Sequence, residues 1–288
     1  MPRVARTDTN PSAERDLFLQ SFDKAKPSTI NQYRLLYDKI YTHFQTDLED
    51  INFDEFKEYI LTVKSPSTQK NLINLMAMFN NRFGNEEEAQ RYMNLRQQKF
   101  EEITEKLYDT NEELAKSLPK FDVLKKHLRK QVGTGYIINY LLIHYFTRNQ
   151  DLNVIITDTV PDEADLKDEN WLILHDDNTV DFIRNKYKTV DKYGTMKYKI
   201  DDSKFTAAVK EVLSDQGATR LIPTKQVDYF IRKFTYDKLG EADYLKIQIY
   251  DIIDSHDYGK LVEIERRRGS DLKQLISHYN LKFTRPAN

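Results

Sequence analysis

No cysteine occurs anywhere in this chain of 288 residues. That excludes disulfides and thiolate metal sites, and it fits a reducing intracellular setting, cytoplasm or nucleus, without conflicting with association to a virion. Glycine and proline are scarce, with eight of each, which argues against a loop-rich all-β fold. No apolar run approaches the roughly 18 residues that a membrane-spanning helix needs, so no membrane contact is expected. The stretch from Met1 to Ala13 is polar and lacks the apolar core of a secretory signal. Six scattered histidines never adopt a His-Glu-x-x-His or similar spacing, and no Gly-rich phosphate loop is present. Neither a metal nor another cofactor is therefore expected. The net charge of -2 counts against strong non-specific binding to nucleic acid, unless positive charge is segregated on one face.

What is present is a helix-rich composition, 39% hydrophobic and 31% charged, long enough for one large domain or two ordinary ones. Residues 1–25 read as a flexible N-terminal arm, with a short helix from about Ala13 to Ala25. Ser28 is a plausible N-cap for a helix reaching Phe44, with Ile30, Tyr33, Tyr37 and Ile40 on one face. Phe53 to Val63 repeats that pattern, a third helix places Leu72, Leu75, Met76 and Phe79 inward, and a long acidic fourth starts near Asn85. Residues 26–117 thus form a small helical domain, and Leu118-Pro119 is the natural hinge to a second domain over 118–288.

The second domain opens with a basic amphipathic helix, Phe121 to Gln131. Next comes a strongly apolar one, in which Ile137, Ile138, Leu141 and Leu142 recur at helical spacing. Arg148 follows on a turn, before the apolar pattern resumes at Leu152, Val154, Ile155 and Ile156. A guanidinium there is either held with its donors aimed at a ligand or caps the helix C-terminus. Asp158 to Asn170 reads as an acidic, solvated loop. Trp171 to His175, Val180 to Tyr187 and Met196 to Ile200 alternate as strands and form an antiparallel three-stranded meander, the only sheet expected. Helices follow at Ser203–Leu213, Thr224–Phe234, Ala242–Ser255, Gly259–Arg267 and Ser270–His278. Arg184 to Lys199 holds six basic residues and one acid, with Tyr187, Tyr193 and Tyr198 interleaved.

Four helices, a hinge, then a helical domain interrupted by a meander: this order resembles the tyrosine recombinase (phage integrase) family, from about Ser28 to Asn280. Phe146-Thr147-Arg148-Asn149-Gln150-Asp151-Leu152 is similar to the family's first-arginine motif, Thr-Gly-Leu-Arg-x-x-Glu-Leu, with Asp151 in place of Glu. Lys188 lies in the turn between the second and third strands, where the family carries its lysine; Lys186 and Lys192 are the substitutes. Tyr279 stands where the family has its nucleophile. The family's His-x-x-Arg box is missing: Asp243-Tyr-Leu-Lys246 puts Asp in place of His and Lys246 in place of the second Arg.

The resemblance implies a mainly α protein of two domains that binds double-stranded DNA, with homo-oligomers forming on the DNA. Cleavage would pass through a 3′-phosphotyrosine, with Tyr279 as nucleophile, Arg148 and Lys246 neutralising the phosphorane and Lys188 protonating the leaving oxygen. A phenol titrates near pH 10 and needs such help at neutral pH. Lys246 offers a point charge where a planar fork is expected. If the family's geometry holds, Arg184, Lys186, Lys192, Lys197, Arg266, Arg267 and Arg268 face the duplex; the alternative is a solvated hairpin whose lysines protect a sheet edge. Two functions follow. One is DNA strand exchange by a recombinase. The other is a catalytically degenerate protein of the same fold with a binding, structural or assembly role, for example beside viral structural proteins or in a mobile element.

Overall fold

The computed structural model describes residues 13–222 and 227–271, the side chains of 103–115 and 164 excepted. The chain divides into two compact units, Met1–Asp109 and Thr110–Asn288. It is mainly helical with one small mixed sheet.

The first unit holds α1 (Ala13–Gln20), α2 (Pro27–Phe44), α3 (Phe53–Thr62), α4 (Pro66–Arg82) and the start of α5 (Glu86–Ser117). Pro27 occupies the first helical position of α2, where its missing N–H would have had no partner anyway, so Lys26 rather than Ser28 is the N-cap. Asn52 and Ser65 cap α3 and α4 by accepting from backbone N–H groups at 2.9 and 3.3 Å. Phe18, Tyr37, Ile40, Phe56, Ile60, Leu72 and Met76 are all buried in one core. Phe18 belongs to α1, so this part of the expected N-terminal arm is packed. Glu14 fastens it further by accepting from Tyr37 Oη at 2.5 Å and from Leu48 N at 2.8 Å. The helix α5 runs on without a break to Ser117, just before Leu118 and Pro119.

The second unit contains α6 (Phe121–Lys130), α7 (Gly133–His144), β1 (Val154–Thr157), α8 (Glu163–Asp168), β2 (Asn170–Leu174), β3 (Val180–Arg184), α9 (Val190–Tyr193), β4 (Met196–Ile200), α10 (Ser203–Gln216), β5 (Thr219–Arg220), α11 (Val227–Phe234), α12 (Glu241–Ser255) and α13 (Gly259–Arg268). As its sequence implies, α7 is buried: Ile137, Ile138, Leu141 and Leu142 all sit in the main core.

The sheet has five strands in the order β4-β3-β2-β1-β5, which corrects the expected three. The antiparallel meander β2-β3-β4 is present, with Leu172 opposite Phe182 and Phe182 opposite Tyr198. Two strands flank it. β1 pairs parallel with β2, and β5 closes the other edge antiparallel to β1. A parallel pair needs a crossover of about a dozen residues. Residues 158–169, expected as an open loop, supply it and contain α8.

Candidate functional site

Arg148 sits just past the C-terminus of α7. Two residues past that helix lies Phe146, whose φ of 51° is left-handed and costly for a bulky residue. Burial of the Phe146 ring with Leu245, Ile249 and Ile264 offsets the strain. Its carbonyl accepts from Arg268 Nη1 at 2.9 Å. Arg148 then opens a 3-10 turn over Asn149–Leu152, and Asp151 Oδ2 reaches back to the Arg148 N–H at 2.9 Å.

The guanidinium of Arg148 donates to Arg268 O at 2.7 Å and to Ser270 Oγ at 2.8 Å. Burial, reinforced by the neighbouring charge of Arg268, pulls it below the ordinary guanidinium value. Arg184 on β3 donates to Asp151 Oδ2 at 2.5 Å and also to Arg267 O. In return, Arg267 donates to His144 O and Arg268 to Phe146 O. The C-terminal ends of α7 and α13 are thus laced together in both directions. Carbonyls at a helix C-terminus lack intrahelical partners and carry the negative end of the helix dipole. Four arginines supply both the donors and the countercharge.

Glu241, in the first turn of α12, completes the arrangement. Its two oxygens accept from Arg268 Nη2 and from Asn149 N, at 2.9 and 2.8 Å. Asp243 accepts from Gly240 N at 3.0 Å and so caps α12. A cleft of about 620 Å³ opens beside Arg148, lined also by Asp228, Arg232, Glu241 and Asp243. Three carboxylates share it with two guanidinium groups, which makes it a poor seat for a phosphate. Lys246 is half-buried on α12 and does not line this cleft.

The expected duplex-facing residues fall into two groups. Arg184 is 0% exposed and Arg268 7%; both belong to the interior, which corrects their expected role. The cause is their position. Arg184 shares a strand face with the core residues Val180 and Phe182, and Arg268 shares a helix face with Leu261 and Ile264. Arg267 is half-buried, ion-paired with Glu263 at 2.7 Å and set over the Tyr145 ring. In contrast, Lys186, Lys188, Lys192, Lys197 and Arg266 are exposed. Lys197 pairs with Asp181 at 2.8 Å and Lys186 with Glu169 at 3.4 Å. Lys188 makes no hydrogen bond or ion pair among the described residues.

Lys197 and Arg266, distant in sequence, meet at one groove of about 500 Å³. It runs between β4 and α13, with Tyr193, Met196, Tyr198, Val262 and Glu265 forming the rest of its wall. Residues from both faces of β4 line it, so it lies along the strand's outer edge. Two further contacts fix the connection from β3 to β4. Thr189 Oγ1 donates to Gly269 O and Tyr187 Oη to Gly194 O, both at 2.6 Å.

Tyr279 lies outside the described residues. Among those described, no group of acidic or histidine side chains is arranged to hold a metal ion, and no helix is long and apolar enough to cross a membrane. Comparison of the chain with protein-family models, curated proteins and solved structures gives no match.

Proposed function

We propose that this chain is a tyrosine-recombinase-like protein that binds double-stranded DNA through the connection from β3 to β4, the outer edge of β4 and the C-terminal turn of α13. The observation carrying this reading is the shared groove of Lys197 and Arg266, flanked by Tyr193 and Tyr198. Lys186, Lys188 and Lys192 on the adjoining connection extend the exposed positive charge. Lysine and arginine at such a face gain affinity by releasing counterions from the phosphate backbone. Segregation of these cations is what a chain of net charge -2 needs for binding a polyanion.

Binding without strand cleavage is the form favoured here. The Arg148 donors go to Arg268 O and Ser270 Oγ, and acids crowd its cleft. A clamp that neutralises a phosphorane needs its donors free and its surroundings positive. This matches the degenerate alternative, a protein that retains the architecture for a binding or assembly role.

The test is a gel shift on duplex DNA across a salt series, repeated under denaturing conditions. A salt-sensitive shift, weakened in Lys197→Gln and Arg266→Gln with no covalent adduct, is expected. An adduct formed by the wild type and lost in Tyr279→Phe would instead establish strand cleavage. No shift at low salt would refute DNA binding.

A further inference from the structure

The first unit carries a second cluster of cations, unrelated to the groove above. Lys70 on α4 and Arg96 on α5 line a cavity of about 330 Å³ together with Met93, Gln97 and Phe100. Both cations are half-buried, and neither forms an ion pair among the described residues. Among the described residues, Glu102 pairs with Lys99 at 2.6 Å, and Glu101 accepts from the cavity-lining Gln97 at 2.8 Å. Burial, and then the charge of Arg96, pull the Lys70 ammonium below its ordinary value.

Two like charges in one partly desolvated cavity repel each other, and the arrangement costs free energy unless an anion joins them. The remaining contacts are soft. Among the described residues, Arg96 Nη1 meets the Met93 sulfur at 3.9 Å, and Lys70 Nζ lies 4.5 Å from the centre of the Phe100 ring. That ring is 39% exposed and Met93 is 41% exposed. A flat aromatic body could stack on this rim while a phosphate bridges the two cations.

We propose that the Lys70–Arg96 cavity is a nucleotide phosphate site, with Arg96 and Lys70 holding the phosphate and Phe100 with Met93 receiving the base. Arginine supplies a planar fork and lysine a mobile point charge, a pairing suited to a tetrahedral anion. Aromatic stacking tolerates any base, so the site selects for phosphate plus ring rather than for sequence. The inference does not rest on DNA binding by the second unit, since every residue it uses lies within the first. Its ligand is either a free nucleotide or a nucleotide within a strand.

The full chain is titrated with adenosine 5′-monophosphate and with inorganic phosphate by calorimetry. Saturable binding of the nucleotide is expected, weakened about tenfold or more in Lys70→Gln and in Arg96→Gln, as loss of a charged hydrogen bond implies. Phe100→Leu should weaken the nucleotide and leave inorganic phosphate unaffected. Melting curves of each variant confirm that the fold persists. Nucleotide binding should survive in Lys197→Gln/Arg266→Gln, which separates this site from the groove. Displacement of the nucleotide by a short single-stranded oligonucleotide assigns the source to a strand; persistence of the nucleotide assigns it to the free form. No saturable binding, or binding unchanged in both cation variants, overturns the proposal. So does equal affinity for nucleotide and inorganic phosphate.

Discussion

Asp151 and Arg184 meet at 2.5 Å with both side chains fully buried. The pair joins the turn after α7 to the end of β3. It is not fully satisfied, since Asp151 Oδ1 and Arg184 Nε have no hydrogen-bond partner among the described residues. Removing two charges from water costs several kcal/mol per ion, and attraction in the interior only roughly repays it. Breaking one side of the pair is a different matter, because it strands the other charge.

Asp151→Asn should therefore destabilise the protein by about 3–5 kcal/mol, measured by urea denaturation. The double change Asp151→Asn/Arg184→Met should recover much of that loss. Equal destabilisation by the single and double variants would show that the pair, and not the stranded cation, supplies the stability.

Gly269→Ala tests the close approach at the end of α13. Gly269 has a φ of 60°, and a Cβ there would fall 2.6 Å from Thr189 Oγ1 and 3.1 Å from Tyr187 Cε2. The left-handed backbone alone costs an alanine about 1–2 kcal/mol, and the contact adds to it. The expected outcome is a lower melting temperature, with faster proteolysis of the connection from β3 to β4. An unchanged melting temperature would contradict the geometry.

Tyr244 sets an alkaline limit. Its hydroxyl donates to Asn139 Oδ1 at 2.6 Å and accepts from Tyr236 N at 3.0 Å. Burial pushes the phenol up to about 12 from the ordinary 10. A group whose folded value is raised contributes stability that is complete below its unfolded value and lost as pH rises through the folded one. Stability should thus decline from about pH 10 towards 12, and Tyr244→Phe should flatten that decline. At neutral pH the variant should lose about 1–3 kcal/mol by leaving buried groups unpaired. Identical alkaline slopes in urea titrations of the two proteins would count against this account.

Glu169 sets the opposite limit. It receives a fork from Arg220 on β5, with distances of 3.2 and 3.3 Å. The Arg220 hydrogen bonds hold its carboxyl below the ordinary 4.5, outweighing burial. A lowered folded value contributes stability above the unfolded value that is lost as pH falls through the folded one. Wild type should therefore protect the β5 amides from hydrogen exchange better than Glu169→Gln at neutral pH. The difference should shrink in acid as the wild-type carboxylate is protonated. A difference independent of pH would sink the idea.

Helical periodicity made most helices legible, including the buried α7 from Ile137, Ile138, Leu141 and Leu142. The meander was legible from alternation. β1 was not, because Val154–Thr157 is short and its parallel partner lies across the 158–169 crossover. Two-residue β5 carries no periodic signal at all. Within the candidate site, Arg148 stood out by its place after a buried helix. Arg184 and Arg268 are buried although the family's geometry and their basic neighbours point to a surface. A finer signal was present: Arg184 follows Val180 and Phe182 at a spacing of two, and Arg268 follows Leu261 and Ile264 at seven and four. Both spacings mark the apolar face. Glu241 offered no signal, since nothing local links it to Arg268 or Asn149.

The lacing between α7 and α13 has a consequence for sequence drift. Its acceptors at 144, 146, 147, 267 and 268 are main-chain carbonyls, which persist whatever side chain is attached. Its donors are guanidinium groups, and lysine cannot reproduce their fork. Variation along this lineage should consequently be lopsided. Residues 144 and 147 are free to change as far as this lacing is concerned, while Arg148, Arg184, Arg267 and Arg268 are held, so invariance at those four would record the fastening of a helix end rather than ancestry of a catalytic site.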